Sequence, residues 1–176
     1  RLELLTYDLL SLHDVECGTT SGRTDEITIT EQKKQLESLF SVKVAEKGIQ
    51  LFIESEFMDK PFLTDAKRLD LVLQNLLDNA IKFTPIDGIV RLSFTFENAD
   101  SMVIKCADNG CGIAEDEQSR VFERFYRSKT RNNNHVAGTG LGLAIVKHAV
   151  ERLNGTLTLE SSQNQGSTFT IKIPIN

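Results

Sequence analysis

The chain has 176 residues and 40% hydrophobic content, enough for one domain of ordinary size with a single real core and a small appendage. A formal net charge of -5 leaves no basic surplus for a phosphate backbone, which argues against nucleic acid as a partner. Three cysteines without metal-like pairing fit reduced thiols in a cytoplasmic setting, and no apolar run reaches membrane-spanning length, so no direct membrane contact is expected of this stretch.

The chain opens at Arg1 inside a helical pattern, without an initiating Met or a signal peptide, and reads as a piece of something longer. Leu2, Leu5, Leu9 and Leu12 alternate spacings of three and four. That is the rhythm of a helix that packs on other helices, or of an amphipathic helix lying on its own domain. Gly18-Thr19-Thr20-Ser21-Gly22 has the composition of a linker. The expected division is residues 1–17 as a helical stub, 18–24 as linker and 25–176 as the main domain.

Within that domain, Glu26 to Thr30 alternates as a strand, and Glu31 to Glu46 has helical spacing closed by Gly48. Ile49 to Ile53 is a second strand, and Asp65 to Phe83 a long helix with Thr64 or Asp65 as N-cap and Pro85 beyond its end. Ile89 to Glu97 and Met102 to Ala107 form a hairpin about a polar turn. After short helical pieces and a polar loop, Leu141 to Leu153 is helical, and Thr156 to Glu160 and Ser167 to Ile173 are the last strands. Hairpins mixed with helices, rather than strict strand-helix-strand alternation, predict an α+β sandwich: a mixed sheet covered by helices on one face.

Candidate chemistry starts on the long helix. Asn75, Asn79 and Lys82 follow spacings of four and three and share one stripe, while Leu69, Leu73, Leu76 and Ala80 fall on the opposite side. Amide oxygens can ligate Mg²⁺, amide N–H groups can donate to phosphate, and the lysine adds a point charge; a solvated polar face is the simpler reading of the stripe alone. Asp108-Asn109-Gly110-Cys111-Gly112-Ile113 is either a simple turn or a place where glycines let a flat ligand approach the backbone while Asp108 accepts from an exocyclic amine. Gly138-Thr139-Gly140-Leu141-Gly142-Leu143 runs into the next helix, where free N–H groups face an anion. No strand enters this turn, so the dinucleotide fingerprint that its glycines mimic does not apply.

In order and spacing, QNLLDNAIKFT (Gln74 to Thr84), DNGCGI (Asp108 to Ile113), FERFYR (Phe122 to Arg127) and GTGLGLAIVK (Gly138 to Lys147) resemble the asparagine, first glycine, phenylalanine and second glycine boxes of sensor histidine kinases. The resemblance implies a Bergerat-type sandwich of about five strands on about three helices, with ATP between the long helix and a lid spanning Ser128 to Ala137. It implies Asn79 as the Mg²⁺ ligand, Asn75 and Lys82 on the phosphates, and Asp108 on the adenine amine. Gly110, Gly112, Ile113, Tyr126, Gly138, Thr139, Gly140, Leu141, Gly142 and Leu143 would line the nucleotide. Arg127, Lys129 or Arg131 would neutralise γ-phosphate charge. Phe122 and Phe125 would pack the base of the lid.

The resemblance also implies partners: a dimerisation domain carrying the phosphoacceptor histidine, with residues 1–17 as the end of its second helix, and the receiver domain of a response regulator. His13-Asp14 begins like an acceptor motif, but Val15-Glu16-Cys17-Gly18 does not continue it, so His13 reads as a helix-surface residue. His135 and His148 lack metal-ligand spacing. Relatives that hydrolyse ATP use a Glu at the position of Asn75, and an amide cannot act as a base for water. Serine-kinase relatives, or a module that has kept the fold only to bind partners, are the other readings.

Overall fold

The computed structural model describes residues 2–17, 24–56, 61–98, 100–128 and 138–175. A 16-residue helix α1 (Leu2–Cys17) comes first, followed by β1 (Asp25–Ile27) and α2 (Ile29–Lys47). Then come β2 (Gln50–Ser55), β3 (Phe62–Thr64), α3 (Ala66–Phe83), the hairpin β4 (Ile89–Asn98) and β5 (Ser101–Asp108), α4 (Gly142–Arg152), β6 (Thr156–Ser161) and β7 (Ser167–Pro174).

The predicted strand Glu26 to Thr30 stops early for a local reason. Thr28 is the N-cap of α2: its hydroxyl accepts from Glu31 N at 3.2 Å while the Glu31 carboxylate accepts from Thr28 N at 3.2 Å. This reciprocal pairing satisfies two donors that a helix start would otherwise leave open, so it outcompetes the alternating apolar pattern. At the other end, Gly48 takes φ 64, as a left-handed C-cap requires. Asp65, not Thr64, caps α3 by accepting from Arg68 N at 3.1 Å. Thr64 instead belongs to β3, which the sequence reading missed because it is three residues long and pairs only with β1, antiparallel.

The main sheet runs β2-β4-β5-β7-β6, with β2 and β4 parallel and every other pair antiparallel. Register aligns the inward side chains into rows. Leu92, Cys106 and Phe169 are successive partners, as are Phe94, Ile104 and Ile171. All but Phe169 are 1% exposed or less, and on the same strands Arg91, Lys105 and Lys172 point to solvent. Period-two alternation with one dry face is what a two-layer sandwich needs. The covering layer centres on α3, whose Leu69, Leu73, Leu76 and Leu77 are essentially inaccessible. No helix among the described residues is long and apolar enough to cross a membrane.

Helix α1 lies along α4 rather than standing free. Leu12 is buried with Leu141 and Ile145, with Leu5 partly covered, and Val15 joins the main core. Within the expected leucine stripe, Leu5 and Leu12 turn to the domain and Leu9 does not. Leu9 is 43% exposed, and the face turned to the domain instead carries Asp8, one step along the helix. At its C-terminal end the Glu16 carboxylate accepts from Arg124 and lies 3.5 Å from His148 Nε2, while Arg152 donates to the Glu16 carbonyl. The linker segment 18–23 lies outside the described residues.

Candidate functional site

A cavity of about 1170 Å³ opens between α2, α3, the start of α4 and the ends of β5 and β7. Asn75, Asn79 and Lys82 all line it, so the stripe read from spacing faces one space. Opposite them, the second glycine motif is pressed against α3. A Cβ on Gly142 would lie 3.0 Å from Asn75 Oδ1 and 3.4 Å from Asn79 Nδ2, and one on Gly138 would lie 2.4 Å from Lys82 Nζ. Small residues here let the start of α4 approach the amides closely.

Lys82 carries the electrostatic signature of the site. Burial pushes its ammonium below the usual lysine value; the charges of Arg127 and Lys43 add to this, while Asp78 and Asp8 oppose it. A cation held in a partly dry cleft beside other cations is primed for an anion. Asn75 has one amide N–H engaged by Leu71 O at 2.8 Å and keeps its second hydrogen for other acceptors.

Asp108 lines the cavity at the end of β5 and accepts from Gly110 N at 2.8 Å. The first glycine motif is stapled to the β6–β7 turn: Asn164 N donates to Cys111 O at 2.7 Å and Ile113 N to Ser161 Oγ at 2.8 Å. Gly112 and Ile113 line the cavity, whereas Gly110 does not; it is needed because a Cβ there would sit 2.5 Å from Phe83 O. Cys106, behind this wall, is fully buried, and its thiol is pushed up to about 12.

Thr139, Gly140 and Leu143 also line the cavity. The Leu141 side chain is instead fully buried in a cluster with Leu12 and Ile145, because the turn into α4 rotates it toward α1, which leaves only its backbone to meet a ligand. Its N–H is held by Thr139 Oγ1 at 3.2 Å, and that hydroxyl donates to Asp8 Oδ2 at 2.5 Å. The two phenylalanines of the FERFYR motif differ in setting. Phe122 packs edge-on to Phe169 with centroids 6.4 Å apart, whereas Phe125 is 57% exposed at φ 62 and donates its N–H to Gly140 O at 2.9 Å. Tyr126 and Arg127 line the cavity. The residues expected to follow, including Lys129 and Arg131, lie outside the described ones.

Several participants escaped sequence reading. Glu117, buried in a 3₁₀ turn, accepts from Tyr126 Oη at 3.0 Å and Ser128 Oγ at 2.5 Å, anchoring the segment on either side of Arg127. Lys47 Nζ donates to Ile81 O at 2.7 Å and Lys82 O at 2.8 Å, closing the carbonyl end of α3. Lys43 and Lys47, one helical turn apart on α2, both line the cavity, and that basic pair was the available signal.

Two amides and a lysine face a helix start across a cavity that Asp108 also lines, an arrangement with the donors and acceptor that a nucleotide needs. Among the described residues no cluster of His, Cys, Asp or Glu can hold a metal ion by itself. Residues 64–176 match the family described as histidine kinase-, DNA gyrase B-, and HSP90-like ATPases, and the chain belongs to that family. Over 174 residues it is 34% identical to the autoinducer 2 sensor kinase/phosphatase LuxQ of Vibrio harveyi, covering 96% of this chain and 20% of that protein. It is 35% identical to the circadian input-output histidine kinase CikA of Synechococcus elongatus (98% and 23%) and 30% identical to the aerobic respiration control sensor ArcB of Escherichia coli (94% and 22%). Among solved structures, full-length ShkA in complex with AMPPNP superposes with a TM-score of 0.85 at 28% identity, over 97% of this chain and 35% of that one. The catalytic domain of histidine kinase ThkA gives 0.73 at 26% identity, over 86% and 97%. Within the family, then, this is the ATP-binding catalytic domain of a sensor histidine kinase, spanning about a fifth of the length of the curated relatives it matches.

Proposed function

We propose that this domain holds Mg²⁺-ATP in the cavity and presents the γ-phosphate to a histidine on a dimerisation domain, from which it passes to an aspartate of a response-regulator receiver. The observation that carries the reading is the meeting of Asn75, Asn79 and Lys82 with the Gly138–Gly142 turn across one cavity that Asp108 also lines. The AMPPNP bound to the similar ShkA supports the nucleotide assignment.

Asp108 accepts the adenine amine while Gly112 and Ile113 form the wall beside the ring. Lys82 and Asn75 donate to phosphate oxygens, and free N–H groups at the start of α4 face the same negative charge. The donor set fits magnesium in one respect: the Asn79 amide offers a hard neutral oxygen, and among the described residues no carboxylate cage competes with the phosphates for the remaining positions. Magnesium, when bound there, neutralises charge on the phosphates. Transfer forms a bond from an imidazole nitrogen to the γ-phosphorus and breaks the β–γ bridging bond, with ADP leaving. Arg127 faces the charge that builds on the transferred group, and Arg131 is a second candidate. Asn75, being an amide, activates no water, which favours transfer over hydrolysis.

Calorimetric titration with a non-hydrolysable ATP analogue and Mg²⁺ tests the binding. Asn79→Ala should abolish the Mg²⁺-dependent part of the affinity while leaving the melting temperature near wild type; unchanged affinity refutes its role. Supplying the dimerisation domain in trans with labelled ATP should give acid-labile phosphohistidine, and phosphoserine or free phosphate alone would overturn the transfer reading. In the parent protein the domain is expected to work in the cytoplasm.

A further inference from the structure

Lys43 lies outside every motif that identifies the family, yet it lines the same cavity as Asn75, Asn79 and Lys82. Its Nζ is 2.6 Å from Asp78 Oδ1 and 5.6 Å from the centroid of the Phe40 ring. Asp78 stands three residues after Asn75 and four before Lys82, so it shares their side of α3 and brings the Lys43 ammonium to the edge of the stripe.

The charges of Lys43 and Arg127 both reach Lys82, adding to the burial that disfavours its ammonium. Positive groups from α2, α3 and the segment after Tyr126 thus face one cavity and repel, offset by the carboxylates of Asp78 and Asp8. Such a cluster is relieved by a polyanion that brings more negative charge than two carboxylates supply. The two lysines of α2 differ in freedom. Lys47 is committed to the Ile81 and Lys82 carbonyls, whereas both members of the Lys43–Asp78 pair are about half exposed. An exposed pair of this kind is weak and exchanges partners readily.

We propose that Lys43 is a further phosphate-binding residue, which leaves Asp78 to hold the polyphosphate end of the bound nucleotide. The proposal rests on the nucleotide-binding reading above. A lysine is suited to this exchange, since its charge sits on a flexible stem with three rotatable donors and demands no fixed geometry.

The test is calorimetric titration of the wild-type chain, Lys43→Met and Lys43→Arg with ATP, ADP and adenosine, with melting curves of the ligand-free proteins. Lys43→Met should weaken ATP about tenfold, the size of one charge-assisted hydrogen bond, ADP less, and adenosine not at all. Lys43→Arg should stay within about threefold of wild type because it keeps the charge. ATP affinity unchanged in Lys43→Met, or adenosine weakened as much as ATP, overturns the proposal while leaving the nucleotide reading intact. Failure of the wild type to bind ATP overturns both.

Discussion

Adding one methyl group at Gly112 should damage the nucleotide wall in a way the structure quantifies. Gly112 has φ +64, and a Cβ built there lies 1.9 Å from Ser162 O, 2.8 Å from Ser162 C and 3.1 Å from Gly166 O. Holding an alanine in the left-handed region costs about 1–2 kcal/mol. Relieving the overlap requires the β6–β7 turn to withdraw by about 1 Å, since real Cβ contacts essentially never fall under 3.0 Å. That withdrawal stretches the Asn164–Cys111 and Ile113–Ser161 hydrogen bonds, each contributing about 1 kcal/mol. Gly112→Ala should therefore lose about 3–4 kcal/mol, which for a domain of this size lowers the melting temperature by about 6–16 °C. Differential scanning calorimetry reads the loss, and titration with an ATP analogue should show weakened affinity, because Gly112 and Ile113 border the cavity beside Asp108. A melting temperature within about 1 °C of wild type, together with unchanged nucleotide affinity, refutes the reasoning.

Lys82→Met should weaken triphosphate binding yet melt no lower than wild type at neutral pH. With its folded value lowered by burial, the ammonium carries a penalty fully present below that value and fading as pH rises toward the unfolded one, so the stability gap should close at alkaline pH; a lower melting point at pH 7 contradicts this. Glu117→Ala removes the acceptor of Tyr126 and Ser128 and should cost about 2 kcal/mol in urea unfolding, and nucleotide affinity should fall as the segment around Arg127 loosens. Leu12→Ala removes a buried side chain where core truncations cost about 2–5 kcal/mol. Since α1 meets the domain through this cluster, Val15 and a few polar contacts, hydrogen exchange should show α1 amides losing protection while β5 and β7 keep theirs; unchanged protection of α1 refutes its attachment through Leu12.

The sandwich was legible because its signals are local. Alternation on β4, β5 and β7 and the leucine face of α3 each report burial within a few residues, and four ordered motifs marked the cavity wall. Less was legible where a side chain's direction depends on a distant element. Leu141 sits among cavity-lining glycines in sequence but turns into the α1–α4 contact, and Phe125 faces solvent although its motif neighbours Phe122 and Tyr126 are partly covered. The strand β3 escaped because only its partner β1 gives it hydrogen bonds.

By itself, the sequence determined the class of fold and the chemistry of the α3 stripe, since helical spacing alone places Asn75, Asn79 and Lys82 together. It could not determine what faces them. That Asp8 of α1 meets Thr139, that Glu117 holds Tyr126, and that Lys43 stands beside Asp78 are matters of tertiary structure. Those contacts join residues 131, 9 and 35 positions apart, and only the packing of α1, α2 and the segment after β5 onto one core brings their charges within reach.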